Sequence, residues 1–319
     1  MKKILSAVMC CVLTILFLFS GKSVSARVTN VSDKLVIKEN MTVAAGDTLR
    51  VKDGGELYIR PGVTLTIKGT LKCSDGGAVY NKGKIIVNDG GSVNVSGKLK
   101  LMSGSVLRLK GKLVIGENGI IKGRGSIELK CDFDHIKCVG AVTAKIVPPK
   151  PVTVDGVTTV GGVIIVNREY GLPEDYGSGL LRSAYSAYVK MKEASGYDMS
   201  IISGFRSYEK QQQVYKYWCS IDGEATASRY SAQPGHSEHQ TGLAMDITSL
   251  KLSYADTAEG KWLAANCWKY GFIIRYPKDS ESITGYIYEP WHVRYLGVSL
   301  AKMVHDSGLT LEEFFCIDR

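Results

Sequence analysis

From about residue 35 to residue 129 the chain repeats one short phrase, a glycine followed by alternating apolar and polar residues. Gly55-Glu56-Leu57-Tyr58-Ile59, Gly62-Val63-Thr64-Leu65-Thr66-Ile67, Gly91-Ser92-Val93-Asn94-Val95 and Gly111-Lys112-Leu113-Val114-Ile115 are four instances. Gly62, Gly69, Gly77, Gly83, Gly91, Gly97, Gly104 and Gly111 recur at steps of six to eight residues. Period-two alternation puts every second side chain on one buried face of a short strand, and the glycines supply the corners. A unit this short cannot bury that face alone, so successive units must stack on one another. The pattern predicts an all-β N-terminal half over residues 27–146, built as a β-solenoid of the parallel β-helix type. A two-layer antiparallel β-domain is the alternative.

The repeat stops at Val147-Pro148-Pro149-Lys150-Pro151-Val152, where three prolines in four residues favour an extended, stiff linker over a helix or central strand. The expected divisions are a linker over residues 147–154 and a second domain over 155–319, and 319 residues suffice for two cores. At the other end, Met1-Lys2-Lys3 and the apolar run of residues 4–19 have the order of an export signal, with Val24-Ser25-Ala26 offering a cleavage site. Residues 1–26 are therefore expected to be a cleaved signal, which predicts a secreted or surface-associated protein. Membrane attachment would follow only if the signal were retained. Cys10 and Cys11 lie too early for a lipoprotein signal. Removing this segment takes away Lys2, Lys3 and Lys22 and no acids, so the net charge falls from +9 to +6. A basic exported chain suits anionic polymers or membrane surfaces. Export and the lack of a binding motif argue against nucleic acid. Six cysteines would remain (Cys73, Cys131, Cys138, Cys219, Cys267, Cys316), a count that permits disulfides, with Cys131 and Cys138 the expected pair. Cys131, His135 and Cys138 lack a nearby fourth ligand and are set aside as a metal site.

The second half reads as α+β. Leu180, Leu181, Ala184, Tyr188, Met191 and Ala194 follow helical spacing, with Gly196 as the stop. A buried strand is expected over 199–202, helices over 209–218 and 257–270, and a strand over 272–274. Two segments here carry chemistry: Ser237-Glu238-His239-Gln240-Thr241-Gly242-Leu243-Ala244-Met245-Asp246 and Glu289-Pro290-Trp291-His292. The imidazoles of His239 and His292 and the Asp246 carboxylate can close on one Zn²⁺, leaving a fourth tetrahedral position for water. Glu289 is placed to take a proton from that water. Gly242 and Ala244 between the first two ligands suit a turn entering a strand, with backbone passing close to the metal. There is no H-E-x-x-H, which excludes a thermolysin-like arrangement, and no G-x-S-x-G to suggest a serine mechanism.

These residues resemble the zinc-dependent D-alanyl-D-alanine carboxypeptidases of the VanY type, a family that extends to the VanX dipeptidases and the metal-binding Hedgehog domain. The family pattern S-x-H-x-x-G-x-A-x-D with a downstream E-x-W-H is met at every position. Ser203-Gly204-Phe205-Arg206-Ser207-Tyr208 matches the family's S-G-[YF]-R-S segment, which carries a catalytic arginine. Asn167 and Leu172-Pro173-Glu174-Asp175-Tyr176 look like the start of the same domain. The resemblance covers residues 155–319 and says nothing of the repeat. It implies zinc held by His239, Asp246 and His292, Glu289 as the base and Arg206 as the stabiliser of an oxyanion. Ser237 is expected to bind substrate, and Gln211, on the following helix, is a second substrate-binding candidate. Only His239 of the His236/His239 pair falls on a ligand position, so His236 is expected at the rim and His305 in a structural role.

The resemblance further implies an exported zinc carboxypeptidase that removes the terminal D-alanine from peptidoglycan stem peptides. An L,D-carboxypeptidase, a cross-link endopeptidase and a non-catalytic wall-binding module stay open as alternatives. The repeat would then serve as a rigid spacer, or as a module that binds wall polysaccharide or assembles with its own copies.

Overall fold

The computed structural model describes residues 26–318. The expected signal segment, Ala26 aside, lies outside the described residues. From Val28 to Val147 the chain winds as a parallel β-solenoid with three sheets of six strands each. One sheet stacks Val28–Val31, Thr48–Val51, Thr70–Cys73, Ser92–Val95, Lys112–Ile115 and Ile136–Cys138 in that order. Every pairing in the three sheets is parallel, which removes the antiparallel alternative. One coil takes 19 to 24 residues, as the pairings of Ser126 with Lys145 and of Met41 with Leu65 show. The register puts Leu49, Leu71, Val93 and Leu113 in one inward column. Leu57, Ile59, Leu65, Ile67, Ile85 and Leu107 are wholly buried, so alternation in the sequence becomes an apolar column running the length of the solenoid.

The corner glycines answer to close approach between coils. A Cβ on Gly97 would lie 2.3 Å from both the Gly77 and the Ser74 carbonyl oxygens, so any side chain there would push the stacked coils apart. The six cysteines of the described residues are unpaired. The expected Cys131–Cys138 bridge is absent: Cys138 Sγ faces the Gly140 carbonyl and Cys131 Sγ the Gly111 carbonyl.

Lys145–Val147 closes the last coil, residues 148–151 run without regular structure, and Val152–Val154 opens a three-stranded antiparallel sheet with Val157–Val160 and Val163–Ile164. The two halves pack directly on each other. Helix Val298–Ser307 and the short helix Leu311–Phe315 cover the last coil, so that Leu300, Val304, Phe314 and Phe315 share one core with Phe133, Ile136, Cys138 and Val142. Phe133 meets Phe315 edge-on at 5.4 Å, and Ser299 Oγ accepts the Cys138 N–H at 3.0 Å. A stacked solenoid leaves its last apolar layer open to water, and these helices close it.

Beyond the junction, Ile201–Ser203, Ala244–Ile247, His292–Tyr295 and Phe272–Ile274 form a four-stranded antiparallel sheet in that spatial order. Helix Arg182–Ser195 packs its Ala184, Tyr188 and Met191 against this sheet and ends on left-handed Gly196. The helix expected at 209–218 spans Tyr208–Asp222, capped by the Ser207 hydroxyl. The helix expected at 257–270 divides into Ala258–Asn266 and a 3-10 turn, Cys267–Tyr270, before left-handed Gly271. Among the described residues no helix is long and apolar enough to cross a membrane.

Candidate functional site

The two central strands of this sheet deliver the chemistry. Asp246 and His292 are paired across them, which sets both side chains at one place. His239 comes from the 3-10 turn Glu238–Thr241, which ends on Gly242 in the left-handed conformation, φ +69°. A Cβ on Gly242 would stand 2.2 Å from the Gly179 carbonyl oxygen, so conformation and space both demand glycine between the turn and the strand.

His239, Asp246 and His292 converge, with one ligand atom from each lying within 4.8 Å of the others, and all three are buried. His239 Nδ1 lies 2.7 Å from the Gly204 carbonyl oxygen, an acceptor only, so this nitrogen carries the proton. The other ring nitrogen, Nε2, then turns a lone pair toward Asp246 Oδ2 at 3.2 Å. Burial, opposed by Asp246, lowers the His239 pKa and keeps the ring neutral. Asp246 Oδ1 lies 3.2 Å from His292 Nδ1 yet has no hydrogen-bond partner, although it is buried. Lone pairs and a carboxylate facing one another in a dry pocket are what a divalent cation satisfies, and this donor set fits Zn²⁺.

Glu289 sits at the edge of this cluster, with Oε2 3.5 Å from His292 Nδ1. Burial above all, with Asp246 and Glu238 adding like charge, pushes its pKa up to about 8 against the pull of His292 and Arg206. Arg206 follows the strand Ile201–Ser203, and its Nη2 lies 3.8 Å from Asp246 Oδ2. Ser203 Oγ and Gln211 Oε1 accept from its two terminal nitrogens at 2.7 and 2.8 Å. Gln211 is wholly buried, and its Nε2 donates to the Ala232 carbonyl at 2.6 Å. Both ends of its amide are thus engaged by the protein, and through Oε1 it positions Arg206. Ser237 is buried at the start of the His239 turn, where its carbonyl accepts the Gln240 N–H. His236 stands apart from the cluster, its Nδ1 2.8 Å from the Asn167 carbonyl oxygen, and His305 stacks on Trp268 at 4.8 Å.

Glu238 was missed at the sequence level. Its side chain is wholly buried behind His292, with Oε2 3.5 Å from Nε2, the ring nitrogen turned away from Asp246. Arg275 Nε and Arg294 Nη1 donate to Glu238 Oε1 at 2.8 and 2.7 Å, and Arg275 also donates to both oxygens of Glu312. Burial resists the charge on Glu238, but the two guanidinium groups overcome it and hold the carboxyl far below its ordinary range. A carboxylate behind a ligating imidazole orients the ring and raises its basicity. Only the charge of Glu238 beside His239 hinted at this role, because Arg275, Arg294 and Glu312 are remote in sequence.

Two imidazoles and a carboxylate, with a buried free carboxylate alongside and a guanidinium opposite, define the class as a metallopeptidase-type centre. The VanY profile, described as D-alanyl-D-alanine carboxypeptidase, matches residues 179–298, and the chain belongs to this family. It is 41% identical over 194 residues to Bacillus subtilis YodJ, assigned as a carboxypeptidase, across 51% of this chain and 71% of YodJ. A D-alanyl-D-alanine carboxypeptidase of Enterococcus faecium is 35% identical over 148 residues, 46% of either chain. The solved structure of the L,D-carboxypeptidase DacB of Streptococcus pneumoniae is 38% identical, covering 53% of this chain and 97% of DacB, with a TM-score of 0.48.

Proposed function

We propose that the chain is an exported zinc carboxypeptidase that removes the C-terminal D-alanine from peptidoglycan stem peptides. The observation that carries this is the buried convergence of His239, Asp246 and His292, with Asp246 Oδ1 left without a hydrogen bond and Glu289 beside it. His239, Asp246 and His292 would hold the metal. Zn²⁺ bound there supplies Lewis acidity toward a peptide carbonyl and toward water.

Glu289 takes the proton of the attacking water and passes it to the leaving amine. Its carboxylate lies at the edge of the cluster, 3.5 Å from His292 Nδ1, where it can make that exchange. Arg206, held in place by Ser203 and Gln211, presents a fixed guanidinium to the oxygen that gains charge as the carbonyl is attacked. Two relatives carry the name D-alanyl-D-alanine carboxypeptidase, which supports a stem ending in D-Ala-D-Ala as the substrate.

The test is mass-spectrometric turnover by the full chain with zinc, offered matched pentapeptide and tetrapeptide stems. Loss of one alanine from the pentapeptide is expected. Trimming of the tetrapeptide alone would replace this specificity with the L,D one. Intact stems with stoichiometric zinc bound would overturn the carboxypeptidase reading.

A further inference from the structure

Positive charge is concentrated in the solenoid. Residues 27–147 hold 20 Lys and Arg against 11 Asp and Glu, whereas residues 148–319 hold 17 against 20. One of the three corners of the solenoid carries mostly cations, whereas the corner with Lys68, Lys110 and Lys130 also holds Asp47, Asp89 and Asp132. The strands ending at Ile37, Ile59, Asn81, Leu101 and Gly123 are stacked in register, so the residues after them also stack: Lys38, Arg60, Lys82, Met102 and Arg124. Backbone bonds from Arg60 N to Ile37 O and from Lys82 N to Ile59 O tie successive corners together. Lys84, Lys100 and Lys122 stand on the adjoining strands. All seven cations are exposed, and among the described residues none of them forms an ion pair. Glu39 is the acid at this edge, whereas Asp33, Asp53, Asp75 and Glu117 gather at the preceding corner of the coil.

We propose that this ridge is a docking site for a linear polyanion with phosphodiester repeats. Coils repeat at about 4.8 Å, so charge is presented in single file over roughly 20 Å. Such a row fits an extended chain of closely spaced phosphates, whose counterions are released as each cation engages. A bilayer would be met better by charges spread over a face with free aromatic or apolar wedges. The aromatic pair nearest the ridge is already engaged: Tyr58 and Tyr80 stack on each other at 4.5 Å, and both hydroxyls bond to Glu56. The ridge would hold the attached catalytic half beside a polymer-bearing surface and raise its effective concentration there. This binding does not depend on the peptidase assignment and is measured without turnover.

The experiment titrates the full chain with purified poly(glycerol phosphate) between about 50 and 200 mM salt, where polyanion affinity changes steeply. The variant K38Q/R60Q/K82Q/R124Q is expected to bind at least about tenfold more weakly, with a log–log salt slope shallower by about 3. K52Q/K72Q/K112Q/K145Q removes equal charge from exposed positions off the ridge, none stacked on another, and is expected to lose less than about threefold. The double variant K82Q/R124Q should give about half of the slope change. Far-UV circular dichroism checks that each variant is folded. Equal losses in the two quadruple variants, no polymer binding by the full chain, or tighter ridge-dependent binding to phosphatidylglycerol vesicles would overturn the proposal.

Discussion

Glu289 and Glu238 show how one side-chain type takes two tasks through its surroundings. Glu289 has no guanidinium bonded to it, and burial lifts its pKa to about 8. Glu238 is clamped by Arg275 and Arg294 and stays ionised behind His292. Glu289→Gln is expected to keep stoichiometric zinc while turnover of the pentapeptide falls by about 10² to 10⁴, the usual contribution of a positioned base. Normal turnover would remove Glu289 from the mechanism. Glu238→Gln leaves Glu289 in place and loosens His292, so zinc affinity should fall by about 10- to 100-fold in a chelator competition. Unchanged affinity in a folded variant would leave Glu238 a purely structural charge. The clustering of His239, Asp246 and His292 was legible because His239 and Asp246 are close in sequence and His292 sits in a dense motif. The buried clamp was not, since nothing local marks Arg275 or Arg294 as partners of Glu238.

At the scale of the element, the solenoid strands follow from period-two patterning, and the corners follow from space. Gly97→Ala puts a methyl against backbone that cannot swing aside, unlike a flexible side chain. It is expected to destabilise the chain by about 1–3 kcal/mol in denaturant unfolding, as overpacking of a tight site does. A variant as stable as the parent would show that the coils can separate at that corner. Helix ends in the second half were legible where a left-handed glycine marks them, as at Gly196. The split of the 257–270 segment was not, because over the four residues Cys267–Tyr270 the i,i+3 spacing of a 3-10 turn matches that of an α-helical turn.

For the whole molecule, the junction between the halves is the main departure from a spacer joined by a stiff linker. Proline composition reports how the chain runs locally; it cannot report that Phe314, Phe315, Leu300 and Val304 close the open end of the solenoid. Each such side chain contributes roughly 1.5–3 kcal/mol when fully buried. Residues 148–319 made alone should therefore melt at a clearly lower temperature than the full chain, or aggregate, in differential scanning calorimetry. An equal melting temperature would mean that the shared core adds nothing to the stability of the catalytic half.

The sequence by itself determined what repeats and what is dense: alternation with glycine corners dictates stacked strands, and two compact motifs carry the metal-type donors. Each is a local pattern, and local patterns survive in a one-dimensional string. Tertiary structure alone decided the rest. Parallel register lines up Lys38, Arg60, Lys82 and Arg124, which are 22 or 42 residues apart, into a ridge, and the fold brings Glu238, Arg275, Arg294 and Glu312 behind His292. It also turns the C-terminal helices onto the last coil. These contacts join residues far apart along the chain, so the chemistry of each residue alone does not mark its partner.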